Sequence, residues 1–159
     1  MDTPRRIWWA RPRKLCAMER PGGGGRSHRP ERRESDIAYL KESGVRLVIS
    51  TMTTRHNLAD YETAGLEWHH RPVHPGEEAE ALEELRALLR RELRKRGAIA
   101  VHGNRYTEFV AILCAEHLHE TRGIAVEAAL EDAVAAGLQA VQPRSRIASS
   151  TTSGLSVTT

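Results

Sequence analysis

At 159 residues, with two cysteines and a net charge of +3, the chain is one domain's worth of sequence with too few thiols for a disulfide framework or a structural zinc site. Its apolar runs are too short to cross a bilayer or to form a secretory signal behind the basic N-terminus, which predicts a cytoplasmic protein with no membrane segment. Charge is lopsided: residues 1–33 hold ten Arg or Lys against three acids and the other 126 hold fourteen against eighteen, so this segment reads as a solvated basic arm or as a contact for an anionic partner.

Segments "RIWWA" and "KLCAM" predict two short strands separated by "RPR". Adjacent Trp8 and Trp9 then point to opposite sides, one into the core and one toward a partner, where an exposed ring would serve a homo-oligomer. "ERPGGGGRSHRPERR" predicts a mobile Gly/Arg-rich loop over residues 20–33, because four consecutive glycines cannot be fixed cheaply. A helix is expected from about Ser35 to Ser43, a buried strand over Val45–Ser50, and a short helix in "NLADYETAG". "LEWHHRPV" is the next strand, ended by Pro72.

Glu77–Gly97 is the clearest helix: Leu82, Leu85, Leu89 and Leu93 recur every three or four residues, and Leu88 broadens the stripe. Acids crowd its start and bases its end, as the helix dipole favours, and its charges read as a solvated face. "AIAV" forms a strand running into His102 and Gly103. Helices follow in "YTEFVAILCAEHLHET", with Cys114 inside and His117 and His119 at the surface, and in "AVEAALEDAVAAG". Residues 141–159 are Ser/Thr-rich without apolar period and predict a disordered tail.

Strands alternating with helices predict one α/β domain over residues 1–140, a three-layer arrangement with a central, mostly parallel sheet flanked by helices. Ligands of such sheets sit at the carboxyl ends of the strands. Two of those ends carry unusual chemistry, "HHRPVHPG" and "VHGNRYTE".

The order and spacing of these pieces resemble the cysteine-dependent protein tyrosine and dual-specificity phosphatases over about residues 13–140. "LCAMERPG" is similar to that family's opening strand, "DIAYLKESGVRLVIST" to its helix and strand, and "AGLEWHHRPVHPGEE" to the strand before its general-acid loop. "AIAVHG" is similar to the strand entering the phosphate loop, and "RGIAVEAALEDA" to the helix that follows. The resemblance implies a nucleophilic cysteine after His102, an arginine six positions beyond it, and an aspartate near residue 75. Those positions hold Gly103, Phe109 and Pro75, and Val110 stands in the hydroxyl position. Thiol-based hydrolysis needs a thiolate and a planar guanidinium to hold the equatorial oxygens, so the resemblance implies a pseudophosphatase.

What remains can bind. A strand-to-helix loop presents backbone N–H groups at the positive end of a helix dipole, and Gly103, Asn104, Arg105, Tyr106 and Thr107 are the candidate ligand-binding residues. The partner would be an anionic small molecule or a phosphorylated protein. Glu108 either pairs with Arg105 or repels a dianion. The alternative is a repurposed acid–base lyase, isomerase or transferase using His102, Glu108, Tyr106 and His74, with Arg105 in the same pocket. His69, His70, His74 and His102 cluster near neighbouring strand ends, but His69 and His70 face opposite sides, and neither a metal nor a cofactor is expected. No aromatic-interleaved RNA motif or recognition-helix pattern supports nucleic acid as the partner, although Trp8 and Trp9 among arginines could stack on bases.

Overall fold

The computed structural model describes residues 3–139, so the tail expected over 141–159 lies outside the described residues. Five strands form one sheet in the order β1-β2-β5-β3-β4: β1 (Ile7–Arg11), β2 (Leu15–Met18), β3 (Val45–Ser50), β4 (Glu67–His70) and β5 (Ala98–His102). β1 and β2 pair antiparallel, and every other pairing is parallel. The central strands are short and apolar because both faces are covered, as parallel sheets require.

Side-chain parity divides the core into two layers. Leu15 and Ala17 of β2, Leu47 and Ile49 of β3, and Ile99 and Val101 of β5 face α3 (Glu78–Glu92), α4 (Glu108–Arg122) and α5 (Val126–Ala135). Cys16 and Met18, Val48, and Ala98 and Ala100 face α1 (Pro30–Glu42) and α2 (Leu58–Thr63). His102 continues the parity of Ala98 and Ala100, so its imidazole falls on the α2 side.

Several expectations are corrected. α1 begins at Pro30, five residues before Ser35: proline at the first helical position starts the helix, and polar first turns hid the period. The segment expected as a mobile loop over residues 20–33 therefore ends early, and Gly22, Gly23 and Gly24 are buried against the protein. α3 stops at Glu92 rather than running to Gly97. Trp8 is buried and Trp9 half-buried with its indole N–H donating to Tyr39 Oη at 2.9 Å, so both rings are internal, one on each face of a sheet covered on both sides. His117 is buried rather than at the surface, because α4 lies between the sheet, α3 and α5, while His119 stays outside.

Candidate functional site

The loop after β5 lies between the loops of its two neighbours. On the β3 side, the Thr51 N–H and Oγ1 both donate to the His102 carbonyl, at 2.9 and 3.0 Å. The chain after β4 is laid beside β3's end through Arg71 N–H to Ser50 O (2.8 Å) and Val73 N–H to Thr51 O (3.1 Å). On the β2 side, Arg20 N–H donates to Asn104 O at 3.2 Å, and Gly25 N–H to Asn104 Oδ1 at 3.1 Å.

Beneath the loop runs a buried polar chain whose direction is set by donor and acceptor identity. His102 Nδ1 lies 2.7 Å from Gly103 O, an acceptor only, so Nδ1 carries the proton. Nε2 must then accept from Tyr61 Oη at 2.7 Å, and Tyr61 Oη accepts from Asn57 Nδ2 at 3.3 Å. Asn57 also donates to Pro21 O at 3.0 Å and accepts from Arg20 Nε at 2.9 Å. It sits in the left-handed region, φ 75°, which asparagine tolerates. Burial pushes the His102 pKa down to about 4, with Arg20 and His70 adding to the shift against the bond to Gly103. Neutral His102 is thus a fixed strut and both its nitrogens are occupied.

The segment after β2 closes over the same loop. A Cβ on Gly24 would lie 2.4 Å from both Arg105 Cα and Arg105 N, so only glycine permits this approach. The segment is tied by Gly22 N–H to Asp36 Oδ2 (2.8 Å) and Gly24 N–H to Glu19 Oε2 (3.3 Å). His28 Nδ1 donates to Gly23 O at 3.0 Å, and its Nε2 accepts from Arg33 Nη1 (3.1 Å) and Arg20 Nη2 (3.4 Å). Burial and the two guanidiniums hold its pKa below the ordinary histidine value.

Gly103 is buried, and a Cβ there would meet Tyr106 O at 2.9 Å. Any side chain in that position must move the loop. Asn104 and Arg105 are exposed, Tyr106 is 64% exposed, and the Arg105 guanidinium lies 5.4 Å from the centre of the Tyr106 ring. These three residues form the open rim. Thr107 is sealed: its N–H donates to Gln139 Oε1 at 2.7 Å, and its Oγ1 accepts from Gln139 N–H at 3.0 Å. Among the described residues no ion pair joins Arg105 to Glu108, which starts α4. Nor does a hydrogen bond join any two of His102, Glu108, Tyr106 and His74. His102 is enclosed while His74 stands exposed in the loop after β4.

Both cysteines are buried in the core, Cys16 inside β2 and Cys114 inside α4. Burial pushes the Cys114 thiol up to about 12 and raises Cys16 as well, with Cys114 adding to the latter. Among the described residues no three His, Cys, Asp or Glu side chains converge as a metal group would. No described helix is long and apolar enough to cross a membrane.

Tyr61, Asn57, Arg20 and Gly24 escaped sequence reasoning, because each is legible only through a partner far along the chain. The available signals were a lone aromatic in a short polar helix and an asparagine just before it.

No protein-family model matches the chain, and no curated protein sequence does. Solved structures share its fold. Tk-PTP in its active form aligns with a TM-score of 0.64 at 15% identity, over 88% of this chain and 90% of that one. Human DUSP28 aligns at 0.63 and 20% identity, over 84% and 82%. TpbA of P. aeruginosa in complex with pTyr aligns at 0.62 and 18% identity, over 80% and 71%. The α/β sheet flanked by helices is therefore a fold also found in protein tyrosine and dual-specificity phosphatases.

Proposed function

We propose that this chain is a phosphatase-fold protein that lacks thiolate hydrolysis and binds an anionic ligand, a phosphoryl or carboxylate group on a small molecule or protein, at the rim of the Gly103–Thr107 loop. One observation carries the reading: the loop's supporting frame is complete, while the position that would hold a nucleophile is a glycine with no space for a side chain. Both thiols of the chain are in the core and held protonated by burial, so neither can attack a phosphorus. Phe109 and Pro75 supply neither the charge nor the proton that the family's mechanism requires.

For binding, the rim offers the Arg105 fork, the Tyr106 ring and the Asn104 amide, with the α4 dipole behind them. That a structural neighbour holds pTyr makes phosphotyrosine the natural first probe. The acid–base alternative gains nothing from the geometry, since both His102 nitrogens are engaged.

The test is a ¹⁵N–¹H correlation titration of the full chain with phosphotyrosine, beside an assay for p-nitrophenyl phosphate hydrolysis. The reading expects shifts concentrated at residues 103–107, lost in Arg105→Ala, and no turnover. Thiol-sensitive hydrolysis, or shifts that Arg105→Ala leaves intact, would overturn it.

A further inference from the structure

At the opposite end of the sheet, where the parallel strands begin, three basic segments far apart in sequence meet. The β1–β2 tip presents Arg13, at φ 62°, and Lys14. Lys14 Nζ donates to the carbonyls of Lys95 and Gly97, at 3.1 Å each. Arg46 of β3 donates through Nε to Arg96 O at 3.0 Å and through Nη2 to Glu92 O at 3.2 Å. These bonds satisfy carbonyls at and beyond the end of α3, so its negative pole is neutralised before it reaches solvent. Around them Arg91, Arg94, Lys95 and Arg96 are all exposed.

The carboxylates nearby are already engaged. Glu92 is buried between Arg46 and Lys95, at 3.2 Å from each, and Glu67 bonds Arg46 at 3.1 Å. Seven cations thus stand against two carboxylates, an excess of five on a chain whose net charge is +3. Lys41 and Glu42, at the end of α1, offset one another. Arg13, Arg94 and Arg96 have no side-chain hydrogen bond or ion pair among the described residues. Arg13 and Lys14 of the basic N-terminal segment thus share one surface with the end of α3.

We infer that this end of the sheet, centred on Arg13, Lys14, Arg94 and Arg96, is a face for the phosphodiester backbone of duplex nucleic acid, bound without reading its sequence. The cations come from a hairpin tip, a strand and a helix end, and none of them lines either described cleft beside α2. A single small anion needs donors converging on one point, whereas a duplex presents about one charge per 1.7 Å of axis. Guanidinium forks, which dominate here, match phosphate oxygens. The exposed large hydrophobics, Tyr106, Ile124 and Val134, do not belong to the cluster. It therefore has no apolar anchor of the sort that protein interfaces and membrane insertion use, and no ring on which unpaired bases would stack. Backbone recognition needs no RNA motif or recognition helix.

The experiment is fluorescence anisotropy of the full chain with a fluorescein-labelled random duplex DNA, as KCl rises from about 50 to about 200 mM. The expected result is micromolar-range affinity, alike for two unrelated sequences, with a log–log salt slope of about −3 or steeper. The combined substitution Arg13→Glu, Arg94→Glu and Arg96→Glu removes no intramolecular bond. It should weaken the duplex at least about tenfold and leave the phosphotyrosine shifts at residues 103–107 unchanged. No binding at the lowest salt, equal binding by the triple variant, or tighter binding to polyglutamate or phosphatidylserine vesicles than to duplex would each overturn the inference. Failure of the loop reading would show instead in the phosphotyrosine titration of the unsubstituted protein.

Discussion

At the carboxyl end of the sheet, His102, Tyr61 and Asn57 are buried and each of their own side-chain polar atoms has a partner. At the amino end, Arg13, Arg94 and Arg96 stand in water with none. One end spends stability on geometry: neutral groups locked in a single hydrogen-bond direction hold a loop in one shape. The other concentrates charge where no local carboxylate is free to cancel it. A substitution at the first end should therefore be felt in folding, and one at the second only in what the protein attracts.

The sharpest way to break that contrast is Gly24→Ala. Its Cβ would meet backbone rather than a yielding side-chain tip, so we expect a loss of about 3 kcal/mol in urea unfolding. Gly25→Ala, where the nearest atom is a flexible Arg105 carbon at 3.6 Å, should cost about 1 kcal/mol, mainly from φ 57°. Equal costs would mean that the close approach to the loop does not matter.

Acid should discriminate the two ends almost as strongly. Unfolded His102 takes up a proton near pH 6.5, but folded His102 resists until about pH 4, so the unfolded state binds more protons between those values. Stability is full above about pH 6.5 and falls as pH drops toward 4, by roughly 3 kcal/mol for this group. His28 and His117, whose pKa values burial also lowers, act in the same direction. Unfolding midpoints measured across this window check the slope, and a flat profile would contradict the buried neutral imidazole.

Tyr61→Phe removes the donor to His102 Nε2 and should cost about 2 kcal/mol, with the His102 ¹⁵N shifts reporting loss of a single tautomer. Smallest of all, Arg13→Glu, Arg94→Glu and Arg96→Glu should each stay within about 0.5 kcal/mol of the parent chain. A larger loss at any of them would show that the amino end is structural after all.

Much of the fold was readable from the sequence because its signals are local. Val45–Ser50 is a compact β-branched run that needs no partner to be recognised, and the leucine stripe of α3 reports its own buried face. Local reading failed where context overrode period. Pro30 opened a helix that looked polar, and His117 was buried by neighbours on several sides of α4. The site divides the same way. Gly103, Phe109 and Pro75 are legible as residue types, and it is the resemblance that implies a thiol, a guanidinium and a carboxyl at those positions.

The sequence by itself determined the order of elements and the position of the loop after β5, since composition and short-range period carry those. Only the tertiary structure decided that Thr107 turns away to Gln139, that His102 is a strut between Tyr61 and Gly103, and that Gly24 presses on Arg105. It alone also set Lys14 against the carbonyls of Lys95 and Gly97, which makes one basic surface of two. Each of these is a contact between residues at least 30 positions apart, except the His102–Gly103 bond, and no local pattern encodes the strand order that brings them together.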